Sequence, residues 1–203
     1  IQFQYLKKLN RVKSKTILFS CSYGSDLKNP EEDLKCYIKD DIEMIYHIYE
    51  IIKKKKLKLK ILVRLYPSTN YKKKTLSDIA KLKNFDVDFD SFNFFKKKKF
   101  SLRDITNHLS KKNLSINNSL AIFSFGSTFN IEGAIINKPV FHIGYSVVKR
   151  SNKIYEYDNF QKDVEDYVFL KNVKDSNVIN NPKKMTNILC DLDKNNYLNY
   201  LDY

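Results

Sequence analysis

Tryptophan is absent from this 203-residue chain, and glycine and proline are scarce, with four of each. Globular proteins place glycine at roughly 7% of positions, so a chain this poor in it keeps glycine where the backbone requires one. Cysteine is rare too. Cys21, Cys36 and Cys190 are far apart, odd in number and in no C-x-x-C pair, which excludes a disulfide framework and a cysteine zinc site and fits a reducing cytoplasm. No apolar run approaches the ~18 residues of a membrane-spanning helix, and no charged-then-apolar leader opens the sequence as given. The expectation is a soluble, cytoplasmic protein. Neither a G-x-G-x-x-G fingerprint nor a P-loop signature occurs, which disfavours ordinary dinucleotide and P-loop sites.

Acidic residues are in deficit: 23 Asp+Glu face 37 Lys+Arg, a formal charge of +14. Lysines run together at residues 53–56, 72–74 and 96–99. A basic stripe is the footprint of a protein that neutralises phosphates. These runs instead end helices or sit in loops, without the interleaved aromatics and arginines of nucleic-acid modules. The accompanying wealth of Asn, Ile and Tyr reads as the composition of an AT-rich genome. Nucleic acid is therefore disfavoured as a partner, while a basic surface still suits anionic lipid or a phosphorylated acceptor. With 42% hydrophobic residues the length supports one sizeable core. The first residue is Ile1 and residues 7–15 are a polar connector, so residues 1–15 read as a linker or the remnant of a preceding domain, and 16–203 as a single domain.

What is present is a regular alternation. Residues 16–21 are an apolar run of strand length, closed by the turn-forming Ser22-Tyr23-Gly24-Ser25-Asp26. Asn29-Pro30-Glu31-Glu32 combines a cap, Pro at the first helical position and Glu three residues after the cap. Leu34, Ile38, Ile42, Ile45, Tyr49 and Ile52 then recur at helical spacing up to a cationic end. Residues 59–65 predict a second strand, 75–82 a helix and 85–89 a third strand. Ser101-Leu102-Arg103-Asp104 caps a helix with Ile105 and Leu109 inward. Residues 119–124 predict a fourth strand, followed by an amphipathic helix that Lys138-Pro139 ends, then strands at 140–143 and 167–170. A helix over 182–192 and a tail with Tyr197, Tyr200 and Tyr203 packed on it complete the chain. Near-continuous apolar strands alternating with helices predict an α/β fold: a doubly wound, mostly parallel Rossmann-like sheet with helices on both faces.

Gly24, Gly126 and Gly144 directly follow the first, fourth and fifth strands, and Gly133 lies in the helix after the fourth. Open parallel sheets bind ligands at the carboxyl ends of their strands, so that edge is the expected site. Gly126-Ser127-Thr128 opens a helix, where unpaired N–H groups, the positive end of the dipole and two hydroxyls can converge on a phosphate. The alternative is a plain Ser/Thr cap with a glycine for tight packing. Glu132 favours the phosphate: four residues after Thr128 and one turn inward, its carboxylate needs a partner, which the two hydroxyls of a ribose would supply. His142 is either within reach of a diphosphate or a hydrogen-bonded structural residue. His47 and His108 have no metal-ligand partner at suitable spacing. Asp86, Asp88 and Asp90 alternate on one strand face, as a cation site or, more simply, a solvated edge. Tyr155, Tyr157 and Asp158 fall in a loop placed to cover a base or sugar. Neither a metal nor a cofactor is expected.

The stretch Phe125-Gly126-Ser127-Thr128-Phe129-Asn130-Ile131-Glu132-Gly133-Ala134, with Asn137-Lys138-Pro139-Val140, resembles the "S-T-x-x-x-E-A…K-P-V" segment of GT-B glycosyltransferases. It is similar in particular to the C-terminal donor-binding half of capsule and surface-polysaccharide transferases and of CDP-glycerol glycerophosphotransferase-like proteins. Val63-Arg64-Leu65-Tyr66-Pro67 resembles a strand ending "R-x-H-P", with Tyr66 where the family usually has His, and the loop of residues 20–24 and the helix of 101–109 are supporting matches. The resemblance implies that Ser127 and Thr128 meet the donor diphosphate and Glu132 the ribose, with Arg64 facing the same cleft and Ser22 and Gly24 on its first loop. A GT-B transferase needs two Rossmann-like domains, the N-terminal one taking the acceptor and commonly the catalytic base. This chain has room for one. The resemblance thus implies a fragment: the half that binds a nucleotide-sugar or CDP-alditol donor in surface polysaccharide synthesis, at the inner face of the membrane, with little or no turnover alone. The rival readings are a sugar-nucleotide epimerase of the same architecture and a non-catalytic basic module for nucleic acid or anionic membrane.

Overall fold

Apolar runs too short for helices become parallel strands in the computed structural model, which describes residues 15–21, 38–66, 71–125, 127–150, 153–156, 177–196 and 200. The strands are β1 (Thr16–Ser20), β2 (Lys60–Arg64), β3 (Phe85–Val87), β4 (Ala121–Ser124), β5 (Val140–Ile143), β6 (Tyr145–Arg150), β7 (Lys153–Glu156) and β8 (Val178–Ile179). The helices are α1 (Ile38–Lys55), α2 (Lys73–Ala80), α3 (Phe89–Phe95), α4 (Leu102–Asn118), α5 (Thr128–Ile135) and α6 (Pro182–Asp193). Six strands form one sheet in the order β3-β2-β1-β4-β5-β8, every pair parallel, and β6 and β7 form a separate antiparallel hairpin. The chain winds outward from β1 through β2 to β3, then returns to the other side of β1 with β4. This is the doubly wound Rossmann order, with its switch point between β1 and β4. The expected fold class is the one observed.

Local chemistry accounts for the helix ends. α1 closes on Lys53, Lys54 and Lys55, cations that suit the negative end of its dipole. Ser101 and Asp104 form the anticipated capping box of α4. α6 begins with Pro182 behind Asn181, whose side chain accepts from the Lys184 N–H at 2.9 Å. Because parallel strands are covered on both faces, two apolar layers result. Phe19, Val63, Phe123 and Phe141 belong to a large cluster with α1, α2 and α6. Leu18, Ile122 and Val140 meet Ile116 of α4 in a much smaller one, with Phe129 and Ala134 of α5 packed against it.

Two expectations are corrected. The third strand stops at Val87 because the Asp88 side chain accepts from the Ser91 N–H and caps α3, so Asp86, Asp88 and Asp90 share no strand face. Asp86 caps its neighbour's N–H, Asp88 pairs with Arg64 and Asp90 with Lys111. Ile105 and Leu109 do not face inward: they are 40% and 49% exposed, because α4 meets the sheet through its C-terminal half. The sixth strand of the sheet is Val178–Ile179. The expected strand at 167–170, the helix start at Asn29, and Tyr157, Asp158, Tyr197 and Tyr203 lie outside the described residues, while Tyr155 falls in β7. Tyr200 donates to Asp191 of α6 at 2.8 Å and sets its ring against Phe141. No described helix is long and apolar enough to cross a membrane.

Gly133 explains itself by contact. A Cβ there would stand 2.4 Å from Ile122 Cδ1 and 3.1 Å from Val140 Cγ2, so the absence of a side chain lets α5 lie close on β4 and β5. Gly133→Val is expected to destabilise by about 1–3 kcal/mol through overpacking, read as a lower midpoint in urea unfolding. Gly133→Ala, which meets chiefly the movable tip of Ile122, should cost less.

Candidate functional site

Parallel register sets corresponding residues side by side. Leu18 pairs with Leu62 and Ile122, and Ile122 with Val140, giving one apolar row under α4 and α5. Two residues further along, on the same face, Ser20 pairs with Arg64 and Ser124 with His142. The apolar row therefore gives way to a polar row at the carboxyl end of the sheet. All four of its members are buried, at 8% exposure or less.

Buried polar groups require partners, and α5 supplies two. Ser127 Oγ lies 2.9 Å from Ser20 Oγ, and Ser124 Oγ donates to Asn130 Oδ1 at 2.8 Å. Ser127 also caps α5, its Oγ accepting from the Phe129 N–H at 3.3 Å. The start of α5 is thereby fastened across the ends of β1 and β4, at the switch point. The positive end of the α5 dipole sits at that crevice, with the Asn130 N–H turned back to the Ser127 carbonyl at 2.9 Å.

Arg64 joins the same neighbourhood from β2. Its Nη1 donates to Asp88 Oδ2 at 2.5 Å and, at a long 3.5 Å, to Ser115 Oγ of α4, and the guanidinium stands 5.4 Å from the centre of the Phe129 ring. Its Nη2 is buried and without a hydrogen-bond partner among the described residues. Burial lowers the Arg64 pKa, opposed by the Asp88 and Glu132 carboxylates. A guanidinium starts so high that it remains charged. Lys112 of α4 reaches across to Glu132 as an ion pair and lies 4.9 Å from the same Phe129 ring. Glu132 thus has the partner its position called for, in α4.

Of the residues expected at this edge, Ser127, Arg64 and Glu132 are gathered around Phe129. His142 lies on the same polar row at the end of β5. Burial lowers its pKa to about 4, so at neutral pH it is an uncharged imidazole. Thr128 is the first residue of α5, but its side chain, like Ser22, Gly24 and Gly126, is outside what the structure describes. Ser20, Ser124, Lys112, Phe129 and Asn130 were not expected at this site, and Asp88 is here a counter-ion instead of a cation ligand or solvated edge. Their signal was available in part: β1, β2 and β4 each end an apolar run in a polar residue.

Beside Arg64, on its β3 flank, α3 and α4 enclose a cavity of about 230 Å³ lined by Asp88, Phe94, His108 and Lys111 among others. The charges around it pair off: Arg64 with Asp88, Lys97 with Asp104 at 2.7 Å, and Lys111 with Asp90. Among the described residues no three His, Cys, Asp or Glu side chains converge as metal ligands.

The molecule is thus a Rossmann-like α/β domain with a buried polar row at its switch point. No protein-family profile and no curated protein matches the chain. Among solved structures it is similar to a variant of the wall teichoic acid polymerase TagF, with a TM-score of 0.47 and 16% identity over 99% of this chain and 42% of that one. It is also similar to the UDP-GlcNAc 2-epimerase of Neisseria meningitidis bound to UDP-GlcNAc (TM-score 0.44, 14% identity, 98% and 43% covered). A third likeness is to the epimerase of Methanocaldococcus jannaschii in complex with UDP-GlcNAc and UDP (TM-score 0.37, 16% identity, 95% and 51% covered). The chain spans less than half the length of the first two.

Two expected outcomes follow from the polar row. Asp88→Asn keeps the cap of α3 but removes the counter-charge of a guanidinium whose side chain is 3% exposed, and should destabilise by about 3 kcal/mol in chemical unfolding. His142 favours its neutral form when folded, so its contribution is complete above pH 6.5 and lost as pH falls toward about 4. The wild type should lose roughly 3 kcal/mol over that window that His142→Gln does not lose, measured as unfolding free energy against pH.

Proposed function

We infer that this domain binds a nucleoside diphosphate linked to a sugar or alditol in the crevice between β1 and β4, as the donor-binding half of a GT-B-like transferase of surface polysaccharide synthesis. The observation that carries the reading is Ser127: its hydroxyl ties the start of α5, the positive end of that helix's dipole, across the switch point. In this reading the diphosphate lies against the first turn of α5 beside Ser127, and Glu132 takes the ribose hydroxyls, with Lys112 holding its carboxylate in place. Arg64, already neutralised by Asp88, positions Phe129 and the α5 start rather than serving as a free cation. When the donor bond breaks, negative charge grows on the departing diphosphate, where fixed helix N–H dipoles stabilise it without reorganising. The acceptor and any catalytic base belong, in this reading, to a second domain, and the reaction runs at the inner face of the membrane.

Calorimetry with UDP, CDP and GDP tests the site. One of the three should bind, and at least about tenfold more weakly in Glu132→Ala and Ser127→Ala, since each change removes one or more hydrogen bonds to the ligand. Affinity should fall only gently as salt rises. No binding by the wild type, or binding indifferent to Glu132 and collapsing with salt as a polyanion contact does, overturns the reading.

A further inference from the structure

Helix α4 carries an apolar stripe that the sheet covers at one end only. At 100° per residue, positions 102, 105, 109 and 116 fall within about 60° of one another, a single face. Ile116 is buried with Leu18, Ile122 and Val140, whereas Leu102 is 84%, Ile105 40% and Leu109 49% exposed. Lengths give the reason. A helix of 17 residues spans about 25 Å, while the 4-residue strand β4 spans about 13 Å. Since α4 ends at Asn118 and β4 starts at Ala121, helix and strand share the amino end of the sheet, and the N-terminal turns of α4 overhang its carboxyl end.

The segment that leads into the overhang is basic. Lys96, Lys97, Lys98 and Lys99 precede Phe100, itself 45% exposed, and Arg103 follows Leu102, with no acid between 96 and 103. Lys97 is occupied by Asp104 and Lys96 by the Phe92 ring at 3.9 Å, while Lys98, Lys99 and Arg103 stand exposed. Of the seven large apolar side chains exposed among the described residues, four fall between Phe100 and Leu109. Single exposed apolar residues are ordinary, but a contiguous group rimmed by one sign of charge marks a docking surface.

We propose that this overhang docks on an anionic lipid bilayer. Phe100, Leu102, Ile105 and Leu109 enter the boundary between headgroups and acyl chains, and Lys98, Lys99 and Arg103 meet lipid phosphates. The lysines decide between occupants. Interfaces between proteins are depleted in Lys, whereas bilayer surfaces recruit Lys and Arg around an apolar helix face. The proposal is independent of the nucleotide reading, which concerns the C-terminal half of α4 at Lys112 and Ser115.

Flotation of the full chain with vesicles of phosphatidylglycerol and phosphatidylcholine, against phosphatidylcholine alone, tests it. The chain should float with the anionic vesicles only. The triple change Leu102→Ser, Ile105→Ser and Leu109→Ser should weaken binding at least about tenfold while leaving circular dichroism intact, because the replaced side chains are exposed. Lys98→Gln, Lys99→Gln and Arg103→Gln together should weaken it roughly fivefold per charge. Failure of the wild type to float overturns the proposal. So does flotation unchanged by the serine variant, which would mean adhesion through lysines alone. Dimerisation abolished by the serine variant, without vesicle binding, assigns the patch to a second copy and overturns it as well.

Discussion

A guanidinium buried at the end of a strand must be met by a counter-charge, and Arg64 is met by Asp88. That requirement organises the carboxyl end of the domain. Asp88 is the residue directly after β3 and the cap of α3, so satisfying Arg64 also decides where the strand stops and the helix starts. The same guanidinium reaches Ser115 of α4 and lies by Phe129 of α5. One ion thus references three helices to one strand end. Removing it would leave the half-buried Asp88 carboxylate without its counter-charge and α5 without one wall.

The remaining charges of this end obey a common economy. Glu132 is paired by Lys112, and the cations lining the cavity beside Arg64 each face an aspartate. What is left for an anion is the start of α5, where the helix dipole and the Ser127 hydroxyl bear partial rather than full charges. Such a site is suited to a group that must be held and then released, because it stabilises charge without a tight ion pair. Among the described residues, the lysines that end α1 and those of the basic segment before α4 stand exposed on the outer surface.

Much of the fold was legible because it rests on local signals. Apolar runs, the capping box at Ser101 and the glycines after strands are patterns of neighbouring residues. The failures occurred where one residue's fate depends on a distant one. Helical spacing showed that Ile105 and Leu109 share a face, yet only the relative lengths of α4 and β4 show that nothing among the described residues covers it. Alternation at Asp86, Asp88 and Asp90 read as strand because the partner that makes Asp88 a counter-ion lies 24 residues earlier. A two-residue strand such as β8 is too short to carry any pattern and exists only because β5 offers it an edge. Of the site, the α5 start and Glu132 could be read, while the polar row required register. Only once the strands are aligned do Ser20, Arg64, Ser124 and His142 become one line.

The unequal apolar layers carry a consequence for motion. Among the described residues the cluster that takes in α1, α2 and α6 holds thirty buried members, and the one beneath α4 and α5 holds four. Sub-global opening follows the weakest contacts, so α5 should lift from the strands before the opposite helices loosen, and its amide protons should exchange with solvent sooner than those of α1. A molecule bound between the α5 start and the strand ends would act as a clasp on that lid, slowing exchange in α5 far more than elsewhere.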